Sequence, residues 1–257
     1  MTVRLFGIPL KVKLSFLIVI CLLGMPLIRN VNTDPLTLAG RLGIWVAVVM
    51  VSVIVHELGH ALLARRFGAR VSMELWALGG MTSWQPGPKP ITPARRAAIA
   101  AAGSALGFVV GGAAFPLWKL VPPGSGTLSL TLSWVVWVNL GWGLINWLPI
   151  RLLDGGHIFQ GVIEVLWPKR AGAIGRVFFL CSSAATALVA FHFGLPIAAL
   201  FAGAMFIMEV RALVAPNRSP RPPAQPPPSE HFLLQPPPTG VDRPRRRRSP
   251  WRNTPDG

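Results

Sequence analysis

Tyrosine is absent from this chain of 257 residues, cysteine occurs twice, and only nine residues are acidic. Each shortage excludes something. Cys21 and Cys181 both fall in apolar runs, so no disulfide framework can be drawn, and both read as small core or lipid-facing residues. Without tyrosine, an aromatic belt at a membrane interface has to come from the 10 tryptophans. Charged residues make up 13% of the chain, about half the share usual in a soluble domain, while 52% is hydrophobic. That balance belongs to a polytopic membrane protein. The net charge of +16 is accounted for by basic loops flanking membrane spans, so nucleic acid is not expected as a partner.

Six apolar segments can be drawn, at Leu14–Ile28, Leu42–Leu63, Ala97–Leu120, Leu128–Leu148, Val177–Phe193 and Leu195–Leu213. Arg4, Lys11 and Lys13 precede the first as in a secretory signal, but no small-x-small cleavage site follows, so it reads as a retained span. Basic residues cluster after the second, fourth and sixth segments and before the third, which by the positive-inside rule places both termini in the cytosol. The expected fold class is therefore all-α, a polytopic membrane protein of about six transmembrane helices. The expected division is a cytosolic N-terminal segment over 1–13, a membrane core over 14–213 and a tail over 214–257.

Two stretches depart from the helical pattern. Ala69–Trp84 alternates partly with period two and breaks at Gly79-Gly80, which predicts a short membrane-associated β-hairpin, able to clamp an extended peptide at its edge or to serve as an ordinary loop hairpin. From Val214 onward the chain holds half of its 26 prolines and the run Arg245-Arg246-Arg247-Arg248. Such a tail cannot bury enough apolar surface to fold, so disorder is expected, and its arginines suit anionic lipid. Gly103, Gly107 and Gly111, four apart, allow close helix approach, read here as packing within one chain.

The chemistry concentrates in His56-Glu57-Leu58-Gly59-His60, an H-E-x-x-H zinc motif. It lies inside Gly43–Leu63, where Glu57 is the only charged residue. Positions i and i+4 share a helix face, so both imidazoles can reach one ion. A glutamate at bilayer depth costs several kcal/mol unless water, a metal or a partner receives it. A catalytic zinc takes three protein ligands and leaves one position open, so a third ligand is needed. Asp154 reads as the only other acidic residue that a span could bring to that depth. It follows Pro149, which breaks the fourth span, and precedes Gly155-Gly156, where the backbone can turn tightly. His157 is the competing donor, and a plain turn or cap role for Asp154 the bland alternative.

Taken together, His56-Glu57-Leu58-Gly59-His60 and Asn146-x-x-Pro149-x-x-x-x-Asp154-Gly155-Gly156 resemble the motifs of the site-2 protease family of intramembrane zinc metalloproteases. Gly79-Gly80 resembles that family's re-entrant hairpin, and Phe6-Gly7-Ile8-Pro9-Leu10 the start of many bacterial members. The resemblance implies Zn2+ held by His56, His60 and Asp154, Glu57 as general base, and Asn146, Gly79 and Gly80 binding substrate or supporting the site. It also implies a single-pass membrane protein as substrate and regulated intramembrane proteolysis as the process. The short loop at 121–127 leaves no room for a PDZ domain and the tail none for a nucleotide-sensing CBS domain, so the likeness is to compact bacterial members. A non-proteolytic zinc-binding scaffold or adaptor and a metal-ion transporter are the competing classes, and the oligomeric state is left open.

Overall fold

The structure, a computed structural model, describes residues 2–28, 34–77, 79–88, 90–122 and 125–214. The proline- and arginine-rich tail, with the expectation of disorder and lipid contact, lies outside the described residues.

The chain opens on two strands, β1 (Thr2–Leu5) and β2 (Ile8–Val12), followed by α1 (Leu14–Ile28) and α2 (Pro35–Arg66). A hairpin of β3 (Arg70–Trp76) and β4 (Gly79–Gln85) leads into α3 (Pro93–Leu120). Next come α4 (Thr127–Val136), a π-helical turn (Trp137–Gly141) and α5 (Trp142–Asn146), which run on as one rod. The amphipathic α6 (Asp154–Leu166) and the apolar α7 (Ala171–His192) and α8 (Pro196–Val214) complete it.

Among the described residues five helices are long and apolar enough to cross a membrane: α2, α3, the rod Thr127–Asn146, α7 and α8. The sixth expected span, α1, is apolar but has 15 residues, short of the roughly 20 that a bilayer requires of an untilted helix. α2 begins on Asp34, whose carboxylate accepts from the backbone of Leu36 and Thr37 at 3.1 and 3.0 Å. Hydrogen bonding from Thr37 holds that carboxyl below its ordinary range. Pro93 opens α3 in the same way, one residue after its cap Thr92, because a proline at the first helical position gives up no needed donor.

The predicted hairpin is present, and it is half of a larger sheet. Its strands pair in the order β1-β2-β3-β4, with β2 parallel to β3 (Leu10 opposite Met73) and the other pairs antiparallel. Residues 2–12, read from the sequence as a separate segment, are therefore built into the sheet that carries β3 and β4. Arg65, in the last turn of α2, donates to the Phe6 carbonyl at 2.6 Å, which fixes the Phe6-Gly7 turn beside the end of that helix.

β3 alternates as a half-buried strand should: Val71, Met73 and Leu75 are all buried. They pack with Ile8 and Leu10 from β2, Phe16 and Ile20 from α1, Ala61 and Ala64 from α2, and Ile99 from α3. The core thus sits where the sheet meets the last third of α2, the same stretch that carries the H-E-x-x-H residues.

A candidate metal centre

His56, Glu57 and His60 occupy successive positions on the buried face of α2, and one donor atom from each lies within 4.8 Å of the others. The His60 Nδ1 is 2.7 Å from the Ile99 carbonyl on α3. A carbonyl only accepts, so Nδ1 carries the proton and Nε2 presents its lone pair inward. That Nε2 is 3.1 Å from His56 Nε2. α3 can come this close because residue 103 is glycine: a Cβ there would collide with the His60 ring. Gly103 lies buried within the chain, as do Gly107 and Gly111, in keeping with packing inside one molecule.

The loop after α5 brings in the third candidate. Asp154, the first residue of α6, places Oδ2 3.1 Å from His56 Nε2 and 3.4 Å from His60 Nε2. This oxygen is buried and, among the described residues, has no polar partner besides these two imidazole nitrogens. Two imidazole nitrogens and a carboxylate oxygen therefore face one another across a space of metal-site size, a set that fits zinc. Three lone-pair donors in mutual contact repel unless a cation or protons lie between them. His157, the competing candidate, is exposed beyond Gly156 and is not part of this group.

Glu57 lies alongside, 5% exposed, with no cation paired to it among the described residues. Thr82 on β4 donates its hydroxyl to Glu57 Oε2 at 2.6 Å and also lies 3.1 Å from the Glu57 carbonyl oxygen. Gly80 presses on the same carboxylate, where any side chain would collide with it. Gly79, at φ 121°, opens β4 opposite Trp76, with nothing close to where its Cβ would be. Asn146, at the end of α5, lies with Nδ2 3.5 Å from His56 Nε2.

Three contributors were not singled out in the sequence. Thr82 had no motif to mark it. Asn139, in the π turn, is 4% exposed and donates to Ser52 Oγ and the Val135 carbonyl, both at 2.9 Å. It ties the fourth span to α2 one turn before His56, and π turns often mark functional sites. The third is Glu209, on α8, 6% exposed and paired with Arg151 at 2.5 and 3.1 Å. Asp154 is thus not the only other acidic residue that a span can bury, although Glu209 is bound to arginine instead of facing the histidines.

Comparison with known proteins follows this geometry. Rip3 of Mycobacterium tuberculosis, described as a candidate zinc metalloprotease, is 33% identical over 180 residues, 66% of this chain and 44% of its own length. The zinc metalloprotease MJ0392 of Methanocaldococcus jannaschii is 25% identical over 170 residues, 63% of this chain and 46% of that protein. The chain spans less than half the length of these curated relatives. Among solved structures, a site-2 protease from Methanocaldococcus jannaschii shares the fold with a TM-score of 0.52 at 17% identity, covering 82% of this chain and 94% of that one. The profile of peptidase family M50 matches residues 44–124 and 121–190, more than half of the sequence and all of the residues around the candidate metal centre, so the chain belongs to that family.

Proposed function

We propose that the chain is a zinc-dependent intramembrane endopeptidase that cuts the membrane segments of single-pass proteins, in regulated intramembrane proteolysis. The observation that carries this reading is the convergence of His56 Nε2, His60 Nε2 and Asp154 Oδ2 beside a buried, cation-free Glu57. His56, His60 and Asp154 would hold the ion. Zinc, when bound, supplies a Lewis acid that makes water nucleophilic near neutral pH and polarises a peptide carbonyl. Glu57 takes the proton of the attacking water and delivers it to the leaving amine. Thr82 orients that carboxylate, and Gly80 leaves it room. Asn146, beside His56, supports the ring or meets the substrate.

A helical substrate must unwind, because helical hydrogen bonds shield its carbonyls. Among the described residues β4 has no strand on its outer side, so its edge is open to an extended peptide within reach of Glu57. Gly79 and Gly80 begin that strand. The charge pattern supports a site toward the cytosolic face with both termini cytosolic, and the bacterial relatives support an inner membrane as its location. The tail arginines would engage anionic lipid from that side.

The test is cleavage of a single-pass substrate in liposomes by wild type and by Glu57→Gln, with bound zinc assayed in both. Cleavage by wild type alone, with one zinc in each, is expected. Zinc in both and cleavage in neither would favour a scaffold, and absence of zinc from both would end the reading.

A further inference from the structure

We propose that Glu209 is a positioning residue for the metal centre, acting through Arg151 on the loop that carries Asp154. This rests on the reading of Asp154 as a zinc ligand. Asp154 needs an external aim, because among the described residues its Oδ2 meets only the two imidazole nitrogens with which it would share the ion. Its direction must come from the backbone that delivers it, the loop 147–153.

That loop is held from outside by α7 and α8, which contribute no donor to the centre. Arg151, three residues before Asp154, meets Glu209 with two guanidinium nitrogens at 2.5 and 3.1 Å, a planar fork that fixes orientation as well as distance. Its guanidinium also lies over the Phe179 ring of α7 at 4.5 Å, and Ser182 of α7 donates to the Pro149 carbonyl. Short backbone bonds carry the hold toward the ligand: Ile150 N to Leu148 O at 2.7 Å and Leu153 N to Ile150 O at 2.9 Å. Ile150 between them is 1% exposed, so the loop has little slack. Glu209 itself is 6% exposed in an apolar helix long enough to span a bilayer. A carboxylate there is costly without a partner, and the partner it takes is the ligand loop instead of the neighbouring helix. Glu209 also lies beyond residue 190, where the family match ends. The support comes from the last described helix, outside the residues that the family profile matches.

Zinc affinity is the direct readout. The full chain is purified in detergent, stripped of metal and titrated with zinc against a chromophoric chelator. Glu209→Gln and Arg151→Gln are expected to weaken zinc about tenfold or more, the usual effect of removing a group that orients a ligand. Exchanging the charges, Arg151→Glu with Glu209→Arg, is expected to recover most of the loss, and unfolding midpoints taken on the same samples separate loss of zinc from loss of the fold. The doubly neutral Arg151→Gln/Glu209→Gln leaves no unpaired charge to unfold the chain. Wild-type zinc affinity in that variant, with Asp154→Ala weakened, would overturn the positioning role and leave the ligand reading intact. Wild-type affinity in Asp154→Ala would remove the ligand reading and this inference with it.

Discussion

Two glutamates lie buried in apolar helices of this chain, Glu57 on α2 and Glu209 on α8, 5% and 6% exposed. Their surroundings differ in one respect. Glu209 meets a guanidinium through two hydrogen bonds, whereas Glu57 meets a threonine hydroxyl and the bare backbone of a glycine. A carboxylate forked to arginine has both of its oxygens committed to the guanidinium. One held by a single neutral hydroxyl keeps its other oxygen uncommitted among the described residues. The same residue type at similar burial thus takes an ionic partner in one helix and a neutral one in the other, the difference that the proposed roles of Glu209 and Glu57 require.

The sharpest test of this contrast is Glu57→Gln. It removes the proton acceptor without changing size, and a fall in cleavage of at least about 10³-fold is expected, with zinc retained. A loss below tenfold would show that Glu57 is not the base. Gly80→Ala comes next. It drives a methyl group into the Glu57 carboxylate and should lower kcat about 10²-fold, as misplacing a catalytic group does, while metal content stays at one zinc per chain. Substitution at Glu209 works in the other direction. Glu209→Gln leaves Arg151 unpaired and should cost about 2 kcal/mol of stability, less than for a fully buried pair because Arg151 is half exposed, read as a lower unfolding midpoint in detergent. The smallest effect is expected from Thr82→Val, about tenfold in kcat, equal to about 1.4 kcal/mol of transition-state energy, with Thr82→Ser close to wild type. An equal loss in the serine variant would mean that the methyl group, not the hydroxyl, matters.

Much of the site could be read without coordinates because its parts are local. His56, Glu57 and His60 share a helix face by spacing alone, and Pro149 before Asp154-Gly155-Gly156 marks a break that can redirect a side chain. Long apolar runs gave the spans in the same way, with α1 the marginal one. What escaped notice depends on pairing across the chain. β1 and β2 are short, carry basic residues and lie next to an apolar run, so they pass for a leader. Their partner β3 comes after two helices, and no local pattern announces a parallel pairing. Thr82 becomes significant only once β4 folds over α2. Glu209 was hidden by its setting, one acidic residue in an apolar helix whose partner lies on a distant loop. Gly103 was legible as a packing residue but not as the space beneath His60, since a small residue does not say what it makes room for.

The parallel pairing of β2 with β3 also has a consequence for the order of assembly. During synthesis β2 emerges ahead of α1 and α2, and its partner only after both. The sheet can close only when the two helices have brought residues 12 and 70 to the same side, so β2 waits for the helical hairpin to be inserted. β4, which carries Gly80 and Thr82 to Glu57, rests on that sheet. Until the first two helices are in place Glu57 lacks its partner, and a chain caught during insertion has a motif but no organised centre.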